Sequence, residues 1–262
     1  PEYIKINQLK HDGVAGKVYA TGAVNLKDKL GWDLDASLVR FKPQYFVSSV
    51  KGEVSGHVKT QGVWSEQLKR IDIRQLNAAG FINNKPIRGR GNLTLLLDSN
   101  QKGFLPQQFE ANDLYFSYAQ NQLQATGNAQ SLKIKLNAPA LYELYPGLKG
   151  RAYGSLNVQS QPRLKAIANI AVDNFAFKDV ASVRSLRIQG ELPTSETTPT
   201  LLAAKIDHLR SGNREIENAT VNLAGTRKAH VLKDKRKNRQ SNFYVQLAGG
   251  FNQNNEWLGQ LQ

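Results

Sequence analysis

The sequence predicts an all-β fold: an elongated, curved sheet with one apolar face and one wet face. Three observations carry this. Runs of about 8–12 residues alternate apolar and polar side chains, broken by Gly, Asn, Asp or Pro. Strand side chains point alternately to opposite faces, so each run is greasy on one side only. Apolar residues make up 40% of the 262-residue chain, slightly low for a globular domain, which predicts a thin core. Finally, an apolar-x-apolar-x-Gly motif recurs, and Gly inside a strand marks a bend, a bulge or a close backbone approach.

Taken in order, the first clear run is residues 14–26, where Val14, Val18 and Val24 alternate with Lys17, Tyr19 and Asn25. Residues 30–38 set Trp32, Leu34 and Leu38 against Asp33 and Asp35, the solvated side. Val50-Lys51-Gly52-Glu53-Val54-Ser55-Gly56 continues the rule and resembles Leu148-Lys149-Gly150-Arg151-Ala152-Tyr153-Gly154, 98 residues later. Ala20-Thr21-Gly22 likewise recurs as Ala125-Thr126-Gly127. Turn chemistry marks 83–86, 98–103 and 252–255. Residues 131–136 align Leu132, Ile134 and Leu136. The one helical stretch lies within 137–147, about two turns near 138–145, with Asn137 at the N-cap, Pro139 in the first turn and Pro146-Gly147 as the stop. Leu156 and Val158, then Leu164 and Ile170, resume the strand pattern, and 191–199 is loop-like by composition. The whole chain, 1–262, reads as a single elongated β-repeat of roughly 18–20 strands, with a repeat boundary expected near 137–147. Parity within each run assigns Val14, Val18, Val24, Trp32, Leu34, Leu38, Val50, Val54, Leu132, Ile134, Leu136, Leu156, Val158, Leu164 and Ile170 to one apolar surface.

The net charge is +14, so anionic surfaces will attract this chain. Residues 210–239 hold nine Lys or Arg against Glu215, Glu217 and Asp234. The centre of that excess, Lys233, Lys235, Arg236, Lys237 and Arg239, is expected to form a basic loop between strands 219–223 and 243–247. Such a loop would be a solvated connection or a contact for anionic headgroups or an acidic partner. Cys is absent, which excludes disulfides, thiolate nucleophiles and Cys-ligated zinc and suits an oxidising compartment such as the bacterial periplasm. No apolar run is long enough to span a bilayer. With no Met, and with Pro1 and Gln262 at its ends, the chain reads as a piece of a longer protein.

Catalytic punctuation is missing. His11, His57, His208 and His230 have no His partner at metal-binding spacing, and no G-x-S-x-G elbow is present. Gly89-Arg90-Gly91 is too short for a phosphate cradle and reads as a strand bulge. The expectation is a non-enzymatic protein with no metal or cofactor. Tyr115, Phe116, Tyr118 and Phe109 would suit a stacking platform for single-stranded nucleic acid, the reading of another class. No RNP-type or OB-type signature accompanies them, and no nucleic-acid partner is assigned.

Three stretches carry a family resemblance. Pro146-Gly147-Leu148-Lys149-Gly150, Gly154-Ser155-Leu156-Asn157-Val158 and Pro162-Arg163-Leu164-Lys165-Ala166 follow one cadence. Val221-Asn222-Leu223-Ala224-Gly225-Thr226 with Ala229-His230, and Glu256-Trp257-Leu258-Gly259, add two further elements. This pattern resembles the TamB family, within the wider AsmA-like group of envelope proteins, most strongly over 130–262. The resemblance implies a β-sheet folded into an open, taco-like trough with an apolar interior. It further implies a parent anchored in the inner membrane of a Gram-negative bacterium, crossing the periplasm to meet a TamA-type outer-membrane barrel. The implied role is outer-membrane biogenesis, as a conduit for phospholipid acyl chains or as a scaffold for outer-membrane β-barrel and autotransporter clients. The basic run 233–239 is longer than the simple turn expected of that family.

Overall fold

The computed structural model describes residues 2–27, 29–98, 108–128, 130–159, 165–192, 199–226, 228–237, 242–251 and 257–261. The fold is all-β, an open antiparallel sheet of seventeen strands. The chain divides into two compact units, residues 1–101 with 106–132 and residues 102–105 with 133–262.

The first unit is an antiparallel meander of β1 (Tyr3–Gly13), β2 (Gly16–Asn25), β3 (Leu30–Phe41), β4 (Gly52–Trp64), β5 (Leu68–Ile82), β6 (Lys85–Asp98), β7 (Gln108–Tyr118) and β8 (Asn121–Gly127). Each strand pairs with the next. The second unit takes in β9 (Ser131–Ala138) from residue 133 on. It continues with β10 (Leu148–Gln159), β11 (Lys165–Phe177), β12 (Ala181–Leu192), β13 (Thr200–Ser211), β14 (Arg214–Gly225), β15 (His230–Lys237), β16 (Asn242–Phe251) and β17 (Trp257–Leu261). From β10 onward each strand again pairs with its successor.

The turn expected at 83–86 is a two-residue hairpin. Asn83 and Asn84 both take positive φ, 50° and 64°, as a type I′ turn requires, and Lys85-Pro86 already belong to β6. The turns expected at 98–103 and 252–255 fall, beyond Asp98, outside the described residues, as do 193–198 of the loop expected at 191–199.

The helix expected near 138–145 is a single 3-10 turn, Leu141–Glu143. Asn137 and Ala138 are spent on the end of β9, so the N-cap falls on Ala140, whose side chain cannot cap. Pro139 and Pro146 then leave six residues between them, too few to nucleate an α-helix. A second 3-10 turn, Pro43–Tyr45, lies between β3 and β4, 98 residues earlier. The sequence repeat noted above at the same offset thus repeats a structural element.

Glycines in the recurrent motif sit where another backbone passes. Gly22 has φ 137°, and a Cβ there would lie on the Asp33 carbonyl oxygen; Gly127, at φ 116°, meets Ser131 in the same way. Close approach, the third meaning of a strand Gly, is the operative one here.

Single extra residues bend the strands. Between Ile73 and Leu76, β5 advances three positions while β6 advances two, from Leu93 to Gly91. Gln75 adopts φ 54° there, and its N–H donates to Asn92 Oδ1 at 2.7 Å. Arg40 in β3 and Asp113 in β7, both at positive φ, are the extra residues at two similar shifts. In the second unit β11 gains a residue relative to β10 around Asn174, again at positive φ. Strands β12, β13 and β14 stay in step with β11 through that interval, so Arg184, His208 and Glu217 continue the same transverse line. Bulges of this kind kink a strand and increase its twist.

Candidate functional site

Residues paired across antiparallel strands share a face, so the registers map each surface directly. In the first unit Val24 faces Trp32, Gly22 faces Leu34 and Val18 faces Leu38. Trp32 and Leu34 pair on with Gly62 and Thr60, and Leu38 with Gly56, on the Val54 side of β4. Six sequence-assigned residues, Val18, Val24, Trp32, Leu34, Leu38 and Val54, therefore share one apolar face. Ile71, Ile73, Leu93 and Leu95 extend it across β5 and β6. In the second unit Leu156, Val158 and Ile170 occupy one face through Ala168, Ala166 and Gly154. It continues through Leu186 and Ile188, Leu202 and Ile206, then Val221 and Leu223. The added residues obey the same alternation and were within reach of the same parity count.

Some assigned residues fall elsewhere. Val14 lies in the turn between β1 and β2 and is 73% exposed, and Val50 lies in the connection before β4. Neither belongs to a strand face, because the alternation there runs straight through a chain reversal. Leu132, Ile134 and Leu136 share one face of β9 by parity. Leu164 lies outside the described residues.

Bulges keep the face apolar while reversing parity. In β5 the apolar positions are odd up to Ile73 and even from Leu76. In β11 they are even up to Val172 and odd at Phe175 and Phe177. Partner strands follow: Val183 and Leu209 come to the apolar side beyond the same line.

This face is not enclosed. Asp72 is the sole large side chain below 2% exposure among the described residues, and most buried apolar residues are alanines. The assigned apolar residues are mostly half-buried, and Ile170 and Leu136 are exposed. Among the described residues, the apolar side of each unit is thus only partly covered.

The opposite face is polar and organised by charge. Asp72 lies between Gln61 and Thr94 across the ladder. Its Oδ2 accepts from Arg70 Nε at 2.9 Å and Gln61 Nε2 at 3.1 Å. Burial pushes its carboxyl pKa up, but hydrogen bonds from Gln61, Thr94 and Arg70 outweigh that and hold it below the usual carboxylate range. Ser37, His57 and Asp35 also meet on this unit's polar side. Ser37 Oγ and Asp35 Oδ1 approach the same ring nitrogen, Nδ1, at 3.0 and 3.6 Å. A catalytic relay needs them on different nitrogens, so this cluster is not one.

The basic segment is a strand, not a loop. Lys233, Lys235 and Lys237 lie in β15, paired with Asn222, Thr220 and Asn218 on one side and Gln246, Tyr244 and Asn242 on the other. Alternation places all three lysines on the polar face, exposed, among neutral polar neighbours, so nothing opposes strand pairing. Lys235 Nζ stands 5.8 Å from the Tyr244 ring centroid. Arg236 pairs in backbone register with Ala219 and Phe243, while Arg239 lies outside the described residues.

Comparison with known proteins gives one family. The family model described as TamB, N-terminal domain, matches residues 1–262. The curated translocation and assembly module subunit TamB of Haemophilus influenzae is 25% identical over 269 residues, covering 98% of this chain and 20% of the relative. The chain thus spans about one fifth of that relative's length. No solved structure matches it.

Proposed function

The chain belongs to the TamB N-terminal domain family, and from that premise we propose that it is a non-catalytic segment of the cell envelope whose apolar sheet face carries phospholipid acyl chains. The observation behind this is the partly covered apolar face itself. It runs strand to strand through each unit, and among the described residues its large apolar side chains are mostly only half-buried. Each acyl methylene exposed to water costs about 0.8 kcal/mol. A lipid with two long chains therefore gains from any apolar surface that replaces water along its path. Adjacent strands lie about 4.8 Å apart, so successive strands present a nearly continuous track. In this reading the apolar side is the inner side of a trough, a curvature that strand kinks at bulges allow. The parent would cross the periplasm of a Gram-negative bacterium and meet a TamA-type outer-membrane barrel, so this chain would supply one length of the path.

The test is lipid extraction and native mass spectrometry of the 262-residue chain. Phospholipid bound at defined stoichiometry is expected. Protein that emerges free of lipid and instead captures strand peptides of outer-membrane barrels would replace the conduit with the assembly role.

A further inference from the structure

The ten-residue connection from β3 to β4 folds over the rim of the apolar face and brings cations with it. Phe41 ends β3 on the apolar side, paired with Val54 beyond the Arg40 bulge. Phe46, just after the 3-10 turn, stacks on Phe41 with ring centroids 5.4 Å apart, yet it remains 68% exposed. Tyr45 and Val47 on either side are exposed as well.

Hydrogen bonds hold this connection in place on both sides. Lys42 N–H donates to Ala15 O at 2.9 Å, and Asn83 N–H donates to Lys51 O at 2.6 Å. Lys51 N–H donates to Asn83 Oδ1 at 3.1 Å, and Gly52 N–H to Gln44 Oε1 at 3.1 Å. The connection that carries the exposed aromatics is thus tied at one end to Ala15 and at the other to Asn83.

The charge there is one-sided. No Asp or Glu occurs from residue 36 to 52, a stretch that holds Arg40, Lys42 and Lys51. The flanking carboxylates are already engaged, Asp12 with Lys17 at 2.8 Å and Glu53 with Arg40 at 3.0 Å. Exposed aromatic residues interspersed in sequence with lysines, in a connection that joins the apolar face through Phe41, match the composition of a bilayer interface.

The second unit builds the aromatic half of the arrangement again. After its 3-10 turn, Tyr145 meets Phe177, the last residue of β11, at 6.0 Å. Lys178 Nζ stands 5.5 Å from the Phe177 centroid. Here, however, Glu143 and Asp179 lie close in sequence.

We propose that the β3–β4 connection is a headgroup seat: Lys42 and Lys51 hold the phosphate of an anionic phospholipid while its acyl chains lie on the apolar face below Phe46. The proposal rests on the acyl-chain reading above and adds to it a position and a charge preference. Phosphatidylglycerol fits, because its phosphodiester keeps a net negative charge that the two ammonium groups can neutralise.

The test measures binding of phosphatidylglycerol and of uncharged diacylglycerol, matched in acyl chains, to the 262-residue chain and to its Lys42→Gln/Lys51→Gln variant. At low ionic strength each lysine should be worth about five-fold in phosphatidylglycerol affinity, so the double variant should lose about 25-fold. Diacylglycerol affinity should not change, and millimolar inorganic phosphate should not displace bound phosphatidylglycerol. An unchanged phosphatidylglycerol affinity would overturn the seat. Equal loss of both lipids would overturn it too, since the lysines would then support the acyl surface or the fold. Displacement by free phosphate would reduce the site to a simple anion contact. If the parent chain takes up neither lipid, the acyl-chain reading itself fails, a result distinct from loss of the charge preference alone.

Discussion

Gln75 is the most direct place to test the face assignment. It is the extra residue that turns odd apolar positions into even ones along β5. Deleting it forces a choice on the strand tail. Either Leu76, Ala78, Gly80 and Ile82 rotate to the polar face, or the tail slips its ladders by one position. Leu76 and Ile82 are half-buried, so exposing them costs about 1 kcal/mol each, half the value for full burial. The bond from Gln75 N–H to Asn92 Oδ1 is lost as well, for about 1 kcal/mol more. The deletion should therefore destabilise the unit by about 3 kcal/mol. Gln75→Gly should do the reverse. It removes a left-handed strain of about 1–2 kcal/mol and adds about 0.5–1 kcal/mol of chain entropy cost, leaving a small gain. Urea unfolding followed by the fluorescence of Trp32 and Trp64 reads both variants. A deletion variant within about 0.5 kcal/mol of the parent would refute the bulge as the device that keeps this face apolar.

Other consequences can be measured in the same way. Asp72→Asn should cost about 2 kcal/mol near neutral pH, because a charged acceptor of several hydrogen bonds is lost. Since the folded pKa of Asp72 is depressed, its stabilisation is full above the unfolded value near ~3.9 and disappears as pH falls through the folded value, so parent and variant should converge in acid. Gly22→Ala should cost at least about 2 kcal/mol by thermal melting, because its Cβ would meet the Asp33 carbonyl at a positive φ. Replacing Lys233, Lys235 and Lys237 together by Gln should leave the urea midpoint nearly unchanged, within about 0.5 kcal/mol, as expected for exposed residues on the polar face. A lipid photocrosslinker placed at Ile188 should label, and one at Gln189 should not, because the registers put them on opposite faces.

Alternation alone was enough to recognise the strands and, within a run, the greasy side. Trp32, Leu34 and Leu38 needed nothing more. The same rule failed at Val14 and Val50, because a turn can carry the pattern on after the strand has ended. It could not place β11 beyond Val172 either. A bulge shows in sequence only as two apolar residues an odd number of positions apart, which also describes two separate runs. The basic segment was misjudged by charge density; what governs a strand is which side each charge takes, and Lys-x-Lys-x-Lys puts the three lysines on the polar face while Asp234 and Arg236 fall in register with the other one. The 3-10 turns lie at equal offset in the repeat, yet the first has no helical signature beyond Pro43, and the Phe41–Phe46 stack joins residues on either side of it.

The meander has a consequence for how the fold forms. Within each unit, every strand finds its partner in the segment just before it, so the contacts that hold the sheet are short in sequence. Low contact order favours rapid folding, and the entropy of closing long loops is never paid. Because most buried apolar residues among those described are alanines, little packing waits for a distant segment, and each new hairpin can lock onto an already formed edge. Such a meander can zip outward from any hairpin already formed, and its stability should grow strand by strand, like that of a linear array.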